Sequence, residues 1–211
     1  MQQDYFKRGE TSKPIDHEQR PRGRVYEAIM ELSRLAANVA ESMEEQINRA
    51  ARLIGDCLLG GKKVLACGNG GSAADAQHFV AELVGRMCRE RRSLPAISLS
   101  TDPSVVTALG NDYGYDLVFG RQVEGLGQPE DVLLVLSTSG RSVNVLRAVE
   151  TASRNGLHTV ALLGEGGDPL LDDCDVCIHV PSRDTQRVQE LHTAVLHVIC
   201  EYVEERVISG N

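Results

Sequence analysis

Two stretches of this sequence carry side chains that could share a metal ion or pass a proton. In the segment Asp75-Ala-Gln-His78-Phe-Val-Ala-Glu82, an imidazole and a carboxylate stand four residues apart, so a helix puts His78 and Glu82 on one face. That spacing suits a shared metal or substrate, and equally a solvated ion pair. Near the C-terminus, Gln189, Glu190, His192 and His197 fall within one helical pattern whose apolar stripe reads Val188, Leu191, Val195, Val198 and Tyr202. At about 100° per residue, His197 lies nearly opposite that stripe, with Gln189 and Thr193 on the same polar side. Glu190 falls slightly closer to His197 in angle than Gln189, so periodicity leaves both open as companions of His197. His192 sits near the stripe's edge and is expected to be structural. His158 and His179 fall in strands, where packing is the expected role.

Two polar turns have the chemistry of an anion site. Gly68-Asn69-Gly70-Gly71-Ser72 and Ser137-Thr138-Ser139-Gly140-Arg141-Ser142 each follow an apolar strand and open a helix. Backbone N–H groups and the positive helix end favour an anion there, and the hydroxyls of Ser137, Thr138, Ser139 and Ser142 add donors. Such a cradle can hold a phosphate with few lysines. A dinucleotide fingerprint fits poorly: Gly68 and Gly70 match, but position 73 is Ala, and no acidic residue closes a second strand at the expected distance. There is no GxxxxGK[ST] loop for a nucleoside triphosphate.

The elements that must position these groups alternate along the chain. Residues 24–60 read as helix, stopped by Gly60-Gly61. An apolar strand then enters the glycine-rich turn, where Ser72 is the expected N-cap of a helix running to Val84. Further strands are expected at 96–99, 131–136, 158–163 and 176–180, with helices at 104–109, 142–155 and 185–208. Near-continuous apolar strands separated by helices imply a parallel sheet covered on both faces. The fold class is therefore α/β: a five-stranded parallel sheet flanked by helices, a flavodoxin-like three-layer sandwich, with a long N-terminal helical segment. Ligands of such sheets bind beyond the carboxyl ends of the strands, where both turns lie.

Composition narrows the class. The chain has 211 residues, enough for one sizeable domain, and its net charge of -8 argues against non-specific binding to nucleic acid or anionic membrane. Tryptophan is absent, so base-stacking platforms are not expected. No apolar run reaches the roughly 20 residues that span a bilayer, and the N-terminus lacks a signal-peptide core, so a cytoplasmic location is expected. Residues 1–24 read as a polar extension before one domain over 25–211. The six cysteines are then expected as free thiols, with Cys174 and Cys177 belonging to packed structure rather than to a redox or metal pair.

Four ordered motifs, CGNGGSAADAQHFVAEL, GNDYGYD, STSGRS and RVQELHTAVLH, resemble the phosphoheptose isomerases, a branch of the SIS (sugar isomerase) family. The resemblance runs from about residue 25 to the C-terminus. It implies an aldose–ketose isomerase that converts sedoheptulose 7-phosphate to D-glycero-D-manno-heptose 7-phosphate through an enediol, for bacterial surface polysaccharides such as lipopolysaccharide. It implies one zinc per subunit at His78, Glu82, Gln189 and His197, which selects Gln189 over Glu190. It implies substrate contacts from Asn69, Gly70, Gly71, Ser72, Glu82, Asn111, Asp112, Ser137, Thr138, Ser139, Ser142 and Gln189, with Arg86 near the phosphate or a neighbouring site. Glu82 and His197 are the implied catalytic pair, and a homotetramer with active sites between subunits is the implied assembly. Arg141 stands where the family motif usually has Asn. A related SIS branch contains non-enzymatic tetrameric adaptors that bind the replication initiator; the position matching Glu82 is not acidic there, which speaks for an enzyme here.

Overall fold

A computed structural model describes residues 23–167, 171 and 173–210. The expected extension therefore lies outside the described residues, apart from Gly23 and Arg24, which open the first helix. The elements run α1 (Gly23–Ser42), α2 (Glu44–Leu59), β1 (Val64–Gly68), α3 (Gly71–Val84), β2 (Ala96–Ser98), α4 (Pro103–Tyr113), a 3-10 turn (Tyr115–Leu117), α5 (Gly120–Leu126), β3 (Val132–Ser137), α6 (Val143–Arg154), β4 (His158–Leu163), β5 (Val176–His179) and α7 (Thr185–Ser209). The strands form one parallel sheet in the order β2-β1-β3-β4-β5.

Alternate strand residues feed two cores, as the period-2 geometry of a strand requires. Val64, Ala66, Val132, Leu134, Leu136, Val160 and Leu162 pack with α2, α3 and α7. Leu65, Cys67, Leu133, Val135, Ala161 and Leu163 pack on the other face with α5 and α6. The central strands are buried throughout, which is why they read as unbroken apolar runs rather than alternating ones. Cys174 and Cys177 belong to this packed structure, with Cys177 opposite Ala161 in the β4–β5 ladder and its Sγ donating to the Leu171 carbonyl (3.0 Å). Among the described residues no helix is long and apolar enough to cross a membrane.

Three expectations need correction. The helix expected over 24–60 is two helices, bent at Met43, whose φ/ψ of -117°/7° leaves the helical range. The Ser42 hydroxyl donates to the carbonyl of Asn38 (2.8 Å), a back-bond that competes with the helix ladder and bends it there. The helix expected at 104–109 is Pro103–Tyr113: Asp102 caps its start by accepting from Ser104 N (2.8 Å) and Val105 N (3.1 Å), and Gly114, with φ of 90°, ends it. Val198, assigned to the apolar stripe of α7, is 52% exposed. The helix packs against both α2 and α3, so its buried face turns to include Leu196, Ile199 and Cys200. The 3-10 turn and α5 carry no sequence pattern strong enough to announce them.

Asp131 anchors the edge where β3 begins. It is fully buried and accepts from Lys63 N (3.0 Å), Gln128 N (2.8 Å) and Lys63 Nζ (2.5 Å). Removing one partner of a buried charged pair leaves the other unpaired. Asp131→Ala is expected to lower the unfolding free energy by about 3 kcal/mol in urea denaturation, with little change in the denaturant slope.

Candidate active site

The glycine-rich turn starts α3 through Gly70, whose φ of 59° and ψ of -122° lie in a region that residues with a Cβ rarely adopt. This begins the helix two residues earlier than expected. Ser72 is consequently a buried residue of the first turn, not the N-cap, and no side chain caps the helix. From there α3 presents Asp75, His78 and Glu82 at helical spacing toward α7, and Thr193 Oγ1 of α7 donates to Asp75 Oδ1 (3.0 Å). Burial raises the Asp75 pKa, opposed by that hydrogen bond and by His78.

The two helices bring His78 and His197 together. Their Nε2 atoms are 2.8 Å apart, with the rings edge-on at 68°. Glu82 Oε1 lies 3.7 Å from His78 Nε2, and the ligand atoms of His78, Glu82 and His197 all fall within 4.8 Å of one another. Two imidazole nitrogens and a carboxylate in that volume form an N/O donor set of the kind that holds a divalent metal. The cluster is only partly buried, so solvent and a small molecule can reach it. Gln189 lies about two turns before His197, and its amide occupies the space beside Gly71: a Cβ built there would stand 2.5 Å from Gln189 Nε2 and 2.6 Å from Oε1. Glu190, the alternative that periodicity left open, is paired instead with Arg187 (2.8 Å).

The two turns sit side by side at the ends of β1 and β3. Asn69 and the buried Asn144 exchange both amide hydrogen bonds, each 2.9 Å, and the Tyr115 hydroxyl donates to Asn69 Oδ1 (3.1 Å). In this chain the Asn69 side chain is thus a strut between the turns. Asn144 and Tyr115 were not foreseen from sequence; the only signal was a polar residue on the apolar face of α6. In the serine-rich turn, the buried Ser137 Oγ accepts from Gly140 N (3.1 Å) and Ser139 Oγ from Arg141 N (3.3 Å). Ser142 takes the N-cap position of α6 without a side-chain cap bond. Thr138, Ser139 and Arg141 line an open cavity of about 260 Å³ together with Glu165, Arg183 and Thr185.

A family model described as SIS domain matches residues 29–164. The chain is 51% identical over 177 residues to the phosphoheptose isomerase of a Nitratiruptor species, covering 84% of this chain and 95% of that one. This chain belongs to the phosphoheptose isomerases of the SIS-domain family. The solved phosphoheptose isomerase of Neisseria gonorrhoeae superposes with a TM-score of 0.81 at 42% identity, covering 87% of this chain and 98% of that one. That of Francisella tularensis gives 0.83 at 36%, covering 87% and 97%.

Other residues expected at a phosphoheptose isomerase site bond to close neighbours in sequence. Asn111 donates to Asp112 (2.8 Å) on exposed turns of α4, and Arg86 pairs with Glu90 (3.4 Å) beyond the end of α3. Among the described residues none of the three hydrogen-bonds or ion-pairs with His78, Glu82 or His197.

His192, expected to be structural, is fully buried on the sheet side of α7. Burial pushes its pKa down to about 4, and the nearby Leu163 backbone opposes the shift without outweighing it. Folded His192 stays neutral where an unfolded imidazole, with a pKa of about 6.5, takes a proton. Its contribution is complete above pH about 6.5 and is lost as pH falls toward 4, a difference of about 3 kcal/mol across the window. Urea unfolding of His192→Gln beside the parent should show the gap between their stabilities changing by that order between pH 7 and pH 4, with the parent losing more.

Proposed function

We propose that this chain interconverts sedoheptulose 7-phosphate and D-glycero-D-manno-heptose 7-phosphate through an enediol, supplying heptose for bacterial surface polysaccharides. The observation that carries the reading is the meeting of His78, Glu82 and His197 beside two turns suited to a phosphate. Moving a proton between C1 and C2 needs a base at carbon, a proton carrier at oxygen and an anchor for the phosphate. Glu82 takes the carbon proton. His197 carries protons at the sugar oxygens, its ring held against His78 (2.8 Å). Thr138, Ser139 and Ser142, with Gly70 and Gly71 of the neighbouring turn, hold the phosphorylated sugar. Ser137 and Asn69 serve by shaping these turns, since their polar atoms are committed to Gly140, Asn144 and Tyr115.

His78, Glu82, Gln189 and His197 would hold one zinc per subunit, which when bound polarises the carbonyl and its neighbouring hydroxyl. A carboxylate has two oxygens, so Glu82 can face a cation with one and the substrate C–H with the other. The working assembly is a homotetramer with active sites between subunits. Two features support it: α1 leaves Val25, Tyr26 and Ile29 exposed, and among the described residues Asn111, Asp112 and Arg86 make no hydrogen bond or ion pair to His78, Glu82 or His197. In that assembly these three complete a neighbouring site. Residues 25–211 form one domain.

Glu82→Gln is the decisive variant. Its kcat on sedoheptulose 7-phosphate should fall by about 10²- to 10⁴-fold; a rate near that of the parent would sink the base assignment. Stripping metal with a chelator should abolish turnover, and adding zinc should restore it. Full activity in protein verified metal-free would make the metal incidental.

A further inference from the structure

α3 carries Glu82 close to its end, and Gly85, the residue after it, turns away with φ/ψ of -81°/-114°. Helix ends leave carbonyls unpaired. Here a single guanidinium collects them. Arg91 Nη2 donates to the carbonyl of Glu82 itself (2.6 Å), and Nη1 donates to the carbonyls of Leu83 (2.8 Å), Gly85 (3.2 Å) and Arg92 (3.0 Å). The remaining nitrogen, Nε, faces Glu204 Oε1 at 3.3 Å, and both side chains are 2% exposed.

Glu204 belongs to α7, about two turns beyond His197. Its carboxylate accepts from the backbone of Met87 (2.8 Å), Cys88 (2.9 Å) and Arg89 (3.1 Å), all in the loop that leaves α3. Burial opposes its ionisation, but these three N–H groups and Arg91 outweigh it and hold its pKa below the ordinary value. One buried pair thus ties the last turn of α3, the following loop and α7 into a single unit.

A buried ion pair is weak evidence for a stabilising role, because well-packed apolar residues often do as well. What this pair supplies that leucine and methionine could not is direction: four carbonyls and three N–H groups are met at set angles. Its grip is on the backbone of Glu82, and the helix it ties down is the one that carries His197. We infer that Arg91 and Glu204 are positioning residues, which set how α3 lies on α7 and so place the Glu82 carboxylate relative to His78 and His197. The inference rests on the isomerase reading above for its catalytic consequence, but not for its consequence on metal binding.

The test uses the full chain with three variants: Arg91→Lys, which keeps the charge and loses the fork; Glu204→Gln, which keeps shape and loses charge; and the double apolar replacement R91M/E204L. Three quantities are read: thermal midpoint, zinc affinity by competition with a chromophoric chelator, and kcat and KM on sedoheptulose 7-phosphate. Arg91→Lys and Glu204→Gln should weaken zinc binding about tenfold or more and lower kcat to a similar extent, with KM within about twofold. The double variant should recover the thermal midpoint but neither zinc affinity nor kcat. Parental zinc affinity and kcat in folded Arg91→Lys or Glu204→Gln would overturn the inference, as would recovery of both in the double variant. Should one single variant fail to fold, the other and the double variant decide by the same readings. A parent that does not turn over sedoheptulose 7-phosphate would sink the isomerase reading alone, and the zinc measurements would still decide the positioning role.

Discussion

The pairing of β1 with β3 is the contact on which the site depends. The two strands run parallel in register from Val64 opposite Val132 to Gly68 opposite Leu136, and β3 continues only one residue further, to Ser137. The chain leaves β1 into the glycine-rich turn and β3 into the serine-rich turn, and strand ends one residue apart make those turns neighbours. The Asn69–Asn144 amide pair then closes the gap between them with two hydrogen bonds of 2.9 Å. A slip of one residue would exchange the two buried faces of a strand and part the turns together. Burial of both faces therefore fixes the register, and through it the placement of the two turns beside each other.

The second half of the site comes from helix packing on one face of that sheet. α3 inherits its starting point from the glycine-rich turn, while α7 arrives from the far edge of the sheet after β5. Neither helix alone has a complete reactive group. Thr193 on Asp75, His197 on His78 and Glu204 on the loop after α3 mark three points along one seam. The apolar core beneath holds the helices together without specifying their rotation, and these polar contacts supply it. The His78, Glu82 and His197 cluster is thus built on a helix seam, while the two polar turns belong to the strand ends.

Much of this was legible in the sequence, for identifiable reasons. The strands could be read because both their faces are buried, and His78 with Glu82 because four residues make one helical turn. His192 could be read as structural from its place beside the apolar stripe. What stayed hidden is the choice of partner that each polar side chain makes, near or far in sequence. Angle left both Glu190 and Gln189 open, and Glu190 turns to Arg187 three residues earlier, a local pairing that an angular argument does not weigh. Asn144 looked like an ordinary helix residue because its partner is 75 positions away. The bend at Met43 hung on one hydroxyl, that of Ser42, and the rotation of α7 that exposes Val198 came from packing on two helices at once.

The missing side chain at Gly71 has a consequence for how this protein can drift. The space a methyl group would fill is already taken by the Gln189 amide. Because that amide is the tip of a flexible chain, an alanine at 71 could push it aside at small cost to folding. The damage would fall on the site and leave the scaffold standing. Positions 71 and 189 therefore form one unit of inheritance: a lineage keeping Gln189 in place is confined to glycine at 71, and one that abandons the glutamine is released from that confinement. In a library of this gene screened for expression alone, position 71 should look permissive; the same library screened for growth that requires heptose should return a single letter there.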